Sequence, residues 1–216
     1  MTKYEPLGKD CMLSIDEVKA SILKYHNTTK DGEHTRFRSW KHCHTAFQKF
    51  RNDPTKHELL SLHLAYYLAS WGMLRNSFLR SHDYLVHLPL VKVFVNGQFE
   101  KLYTEQTKEC ISLVLDAKTE INKAYKDNSP TDTLITKILL GVFGCTPAFD
   151  RYFIRATRKY GVSSGTFNEN SLLQLWQYYE QHKKLFEQVN KQMGKEYTPM
   201  KLLDMCLWQI GFDENL

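Results

Sequence analysis

No run of about 18 uncharged apolar residues occurs in the 216-residue chain, and a membrane-crossing helix needs roughly 20 such positions. The sequence therefore predicts no membrane partner. Its first residues, MTKYEPLGKDCMLS, lack the apolar core of a signal peptide, which makes the cytoplasm the expected location. Cysteine is scarce and odd in number. Cys11, Cys43, Cys110, Cys145 and Cys206 are irregularly spaced, which argues for reduced, mostly buried thiols over a disulfide framework. Charge of one sign is also modest. A net +5 falls short of a strongly basic nucleic-acid-binding domain, so any basic patch has to be local. There is no internal repeat and no low-complexity linker.

What is present is a chain 42% apolar and 13% aromatic, a composition that suits one good-sized core or two small lobes. Ser14-Ile15-Asp16-Glu17 fits a capping box and starts a helix to about His26. From Glu33 to Arg51, Phe37, Trp40, Cys43 or His44, Phe47 and Phe50 recur at three-to-four-residue steps and predict a second helix with one apolar face. After Pro54, Lys56 to Ser70 is apolar enough to cross the interior; Gly72 interrupts it, and a short helix is expected from Met73 to Arg80. Tyr84 to Val95 fits helix or strand, because LVKVFV is β-branched. Thr104 to Lys126, Thr131 to Phe143, Ala148 to Tyr160, Asn168 to Met193 and Pro199 to Ile210 complete an all-α reading.

The segment KILLGVFGCTPAFDRYFIRATRKYG, residues 137–161, carries the clearest chemical signal. Asp150 opens a segment bearing Arg151, Arg155, Arg158 and Lys159. Positive charge nearby favours the ionised carboxylate, and a fixed anion beside a phosphate-binding surface suits chemistry on a nucleic acid. The same residue also reads as a helix N-terminal carboxylate held by the helix dipole, with the cations on a solvated face. The adjacent His42, Cys43 and His44 are not read as a metal site, because neighbours on a helix point in different directions. Asp204, alone among apolar residues in LLDMCLWQIG, reads as a buried or capping carboxylate.

Phe143-Gly144, Pro147, Asp150 and Arg155, with Lys159 and Gly161 beyond, resemble the helix-hairpin-helix DNA glycosylase superfamily, in which an apolar helix ends in Phe-Gly before a Pro-containing loop and an Asp. YYLASWGMLRNS, residues 66–77, resembles the family segment that inserts a side chain into the duplex beside the flipped base. The resemblance implies a single domain over 1–216 with two helical lobes, roughly 1–30 plus 145–216 and 31–144, and the active site between them. Two departures stand out. The family's glycine-rich hairpin turn, which holds a phosphate and often an alkali cation, is replaced by Asp127-Asn128-Ser129-Pro130-Thr131-Asp132. The catalytic lysine of bifunctional members is replaced by Thr133, and Lys137, a turn further along, is expected to point elsewhere. Four cysteines for an iron-sulfur cluster are also missing from the C-terminal region.

The resemblance implies a monomeric, monofunctional hydrolase on double-stranded DNA. It would flip a base into a pocket, with Asp150 stabilising the positively charged sugar or orienting water. No cofactor is expected beyond an alkali cation at the hairpin. Ser129, Thr131, Thr133, Lys137, Arg155 and Lys159 are the DNA-contact candidates, and Arg155 fits equally well as a structural ion-pair partner. Trp71 and Met73 are candidate wedges, and each also fits the core. Arg75, Asn76, Ser77 and His44 are candidates to line the base pocket, and Trp40, Tyr66 and Tyr67 to stack on the base, although aromatic residues at helical spacing equally fit the core. The chain is further similar to a small phage-defence glycosylase that removes glucosylated hydroxymethylcytosine. Base-excision repair of alkylated or oxidised bases, a DNA-binding module without activity and a helical protein-interaction subunit are the alternatives.

Overall fold

The computed structural model describes residues 13–30, 35–75, 77–126 and 128–214. Among them the chain is all-α, with eleven α-helices joined by short 3-10 turns and no strand. No described helix is long and apolar enough to cross a membrane. In chain order the helices are α1 Ile15–Lys30, α2 Ser39–Phe50, α3 His57–Ser70, α4 Leu88–Phe94, α5 Glu100–Thr104, α6 Ile111–Ala124, α7 Asp132–Val142, α8 Arg151–Lys159, α9 Glu169–Gln181, α10 Lys183–Gln192 and α11 Pro199–Asp213. The Ser14 capping box closes reciprocally: the Ser14 amide donates to Glu17 Oε2 at 2.8 Å, and the Glu17 amide to Ser14 Oγ at 3.2 Å.

Three expected helices take a different course. The 168–193 segment is cut at His182, which leaves helical geometry (φ −110°, ψ 14°) and turns its ring onto the Tyr178 carbonyl. The 104–126 segment turns at Glu105 and resumes as a helix at Ile111. In the expected 73–80 helix, residues 73–75 form a turn and Phe78–Ser81 a 3-10 segment, with Ser77 capping Leu79. The ambiguous 84–95 run is helical, because all of Leu90, Val91 and Phe94 find core partners on one side of α4.

One cluster of buried side chains runs from Leu13 to Ile210, and α7 lies inside it. Every residue from Leu134 to Val142 is buried, as expected of a helix apolar on all sides. α7 packs on α2, α3 and α6, while α11 packs on α1, α8, α9 and α10. Gly144 ends α7 at φ +68°, where its amide bonds Leu139 and Leu140 carbonyls and Thr198 Oγ1 donates to its carbonyl at 2.7 Å. The end of α7 is thereby fastened to the start of α11. Gly211 does the same for α8 and α11: a Cβ there would stand 2.8 Å from the Tyr152 carbonyl carbon. Gly211→Ala is expected to cost about 1–3 kcal/mol by overpacking. A urea unfolding midpoint equal to the parent's would show that the helices separate at no cost.

Of the five cysteines, Cys43, Cys110, Cys145 and Cys206 are free and buried; Cys11 lies outside the described residues.

Candidate active site

A lysine in the middle of a buried helix needs a counter-charge, and Lys137 on α7 finds it in Asp150. Lys137 is 3% exposed, and its Nζ lies 3.1 Å from Asp150 Oδ2. The expectation that Lys137 points away from Asp150 toward a DNA phosphate is corrected by this placement. Residue 137 lies on the same side of α7 as Thr133, one turn on, and that side faces the 147–150 loop.

Three side chains of α7 hold this loop. Thr133 Oγ1 donates to the Phe149 carbonyl at 2.8 Å, and Thr136 Oγ1 accepts from the Phe149 amide at 2.9 Å. Lys137 takes the carboxylate that follows. Asp150 is also the N-cap of α8, accepting from the Tyr152 and Phe153 amides through Oδ1. Its Oδ2 accepts from Trp208 Nε1 of α11 at 3.2 Å as well as from Lys137. The carboxylate is therefore both a helix cap and a fixed, largely buried anion.

A second buried pair lies beside it. Lys201 Nζ is 2.7 Å from Asp204 Oδ2, and Asp204 Oδ1 accepts from the Ala148 amide at 3.0 Å. Asp150, Lys137, Lys201, Asp204, Tyr67, Trp71 and Trp208 all line one cavity of about 10 Å³. That is room for a single water and far too little for a nucleobase. Burial raises the Tyr25 and Tyr67 hydroxyls well above their usual range, with Asp204 adding to each, so both are neutral phenols. Buried ion pairs are often no more stabilising than apolar residues of the same volume. Stability alone gives little reason to keep two around one small cavity.

Most of the remaining candidates fall in three places. Trp71, half-buried, packs edge-on against Phe37 and Trp208 and under the Lys137 ammonium at 5.0 Å. Its buried indole N–H has no acceptor among the described residues. Met73, Arg75 and Ser77 line a groove of about 270 Å³ together with Ser129, Thr131 and Thr133, so the α3 break and the α6–α7 turn share one surface. Thr131 also caps α7 through the Leu134 amide. Asn76 lies outside the described residues, as does Asp127. On α8, Arg155 is exposed with no ion-pair partner among the described residues, whereas Lys159 pairs with Glu214 at 2.8 Å.

His44 and Tyr66 fall elsewhere. Tyr66 is exposed on α3, and it is Tyr67 that reaches the cavity. His44 bonds the Val142 carbonyl at the far end of α7 and stacks on Trp40. His42 is exposed and Cys43 buried, so the three neighbours do diverge.

Burial pushes the His44 imidazole down to about 4 against the opposing pull of the Val142 carbonyl, and burial alone pushes His87, bonded to Tyr125 Oη, down to about 4. Both are neutral when folded and take up a proton near 6.5 when unfolded. Their stability contribution is present above about pH 6.5 and is lost progressively toward about pH 4. The loss is up to ~3 kcal/mol per histidine. Unfolding free energy measured by urea at pH 7 and pH 5 is expected to fall, less steeply in His87→Gln; a flat profile would contradict the burial of both rings.

Sequence reading missed Trp208, Lys201, Phe37 and Tyr25 as neighbours of the site. The signal for Lys201 was its charge three residues before Asp204 in an otherwise apolar helix.

Comparison with protein-family models, curated proteins and solved structures found no match.

Proposed function

We propose that this protein is a DNA N-glycosylase of the helix-hairpin-helix kind, which extrudes a modified base and hydrolyses its bond to deoxyribose. The observation that carries the reading is the Asp150 carboxylate, held by two backbone amides, an indole N–H and a buried ammonium at the head of a basic helix. Such a preorganised anion stabilises positive charge as it develops on the sugar. Arg155 and Lys159 on the outer face of α8 are the phosphate contacts, and the groove shared by Met73, Arg75, Ser77 and Ser129 follows the strand. Double-stranded DNA is the partner, bound by a monomer.

The base removed is glucosylated hydroxymethylcytosine, as in defence against phage with such DNA; alkylated and oxidised bases are the alternative substrates. Duplexes carrying each of these bases, and an unmodified duplex, are incubated with the purified protein and then treated with alkali. Strand breaks are expected only after alkali and only in the modified DNA. Breaks before alkali would assign Lys137, the amine closest to Asp150, a covalent role. No break in any duplex would refute the glycosylase reading.

A further inference from the structure

A second, open cavity of about 240 Å³ lies against Lys201, with Tyr25, Phe37, Trp40 and Tyr197 among its walls. Its volume is below the usual range of ligand pockets and suits one heterocyclic ring, with any bulky substituent on that ring left in the open mouth. Trp40 and Tyr197 lie roughly parallel at 5.7 Å, and Tyr25 meets Phe37 edge-on at 5.1 Å. These rings pack mainly on one another and leave an aromatic-walled opening between them, a surface against which a flat base can pack. Phe37 also touches Trp71 and Trp208, which joins the wall of this pocket to the rings around Asp150. Lys201 lines both cavities.

The Lys201 ammonium is 2% exposed and carries three N–H donors. One goes to Asp204 and one to the Tyr25 hydroxyl at 3.1 Å. The third has no acceptor among the described residues and lies near the faces of Tyr25 and Trp40. A buried cation with a spare donor at the edge of an aromatic pocket is a site for an electron-rich oxygen on a flat ring.

We infer that this aromatic pocket receives the extruded pyrimidine, and that Lys201 is a catalytic residue on the base side of the bond. The inference rests on the glycosylase reading and extends it. When the C1′–N bond breaks, its electron pair stays with the base, and the adjacent ring carbonyl oxygen carries much of that charge. Lys201 donates its spare N–H to that oxygen, while Asp150 faces the positive sugar. Water forms the new bond to C1′ and yields its proton through Asp150 to solvent; the released base anion takes one proton from solvent. One water is consumed and no other reactant is needed. The two buried pairs thus match the two charges that the reaction separates.

The test uses Lys201→Met/Asp204→Asn, which removes both charges and keeps an acceptor for the Ala148 amide. The probe is a duplex with one glucosylated hydroxymethylcytosine. Single-turnover excision is expected to fall ~10²-fold or more, with unchanged affinity for a duplex carrying a tetrahydrofuran abasic analogue. The variant's remaining rate is expected to rise as the pH is lowered from about 8 to about 6, because a solvent proton replaces the missing ammonium on the departing base. If the double variant does not fold, Lys201→Gln/Asp204→Asn, which leaves no buried charge and keeps a polar partner for the Tyr25 hydroxyl, is measured in its place with the same pH signature expected. Excision within about twofold of the parent, with an unchanged pH profile, would overturn the role of Lys201 and leave the glycosylase reading standing. Absence of excision by the parent protein on every modified duplex would overturn both.

Discussion

Asp150→Asn is expected to lower base excision by ~10²- to 10³-fold, the usual cost of removing one preorganised charge-stabilising group, while affinity for duplex DNA changes little. Asparagine is the informative replacement because its oxygen can still accept from the Tyr152 and Phe153 amides, so the start of α8 is kept. What disappears is the negative charge. DNA affinity is retained because the exposed cations of α8, Arg155 above all, do not depend on Asp150 for their position on the outer face. Single-turnover excision and a binding isotherm on the same duplex separate the two effects. Near-normal excision by Asp150→Asn would mean that the carboxylate is a helix cap and nothing more.

The second large effect is on stability. Lys137→Met is expected to destabilise the protein by about 3–5 kcal/mol, because it strands the Asp150 carboxylate without its cation in a largely dry site. For a chain of this length that corresponds to a melting temperature lower by roughly 6–20 °C. Lys137→Met/Asp150→Asn is expected to recover most of the loss, since methionine fills the lysine stem's volume in α7 and no buried charge remains. The recovery is the decisive part. If the double variant melts as low as the single one, the packing of the lysine chain, and not its pairing with Asp150, sets the cost.

How far such a site can be read from sequence depends on whether its members are neighbours along one helix. Asp150 was legible because its cap, its loop and its basic helix are contiguous. Gly144 and Pro147 marked the turn that precedes it, and the all-α class followed from apolar spacing. Thr133 reads as standing where bifunctional glycosylases carry a lysine and Lys137 as pointing elsewhere; the contact of Lys137 with Asp150 was not legible, because a buried lysine and an exposed one have the same sequence signature until the surrounding helices are known. Trp208 donates to a residue 58 positions earlier in the chain, and no local periodicity reports such a contact. The choice between Tyr66 and Tyr67 turned on helix rotation. α3 is apolar on every side, so its pattern did not say which face meets α7. The break at His182 was hidden for a different reason: neither glycine nor proline marks it, and the side chain itself bonds the preceding turn.

Two pairs of buried charges around a cavity of about 10 Å³ also account for why composition was a poor guide. A net +5 reports the outer surface, whereas the two buried pairs are four charges that cancel and contribute nothing to that sum.

The central claim is that Asp150 serves the hydrolysis of a base–sugar bond, and the most direct measurement is mass spectrometry of what the purified protein releases from DNA containing glucosylated hydroxymethylcytosine. Release of the intact free base with its glucose still attached, in amounts equal to the abasic sites formed and absent with Asp150→Asn, is the predicted result. Release of glucose alone or of a nucleotide would contradict it, as would release of nothing from this DNA and from the alkylated and oxidised duplexes alike.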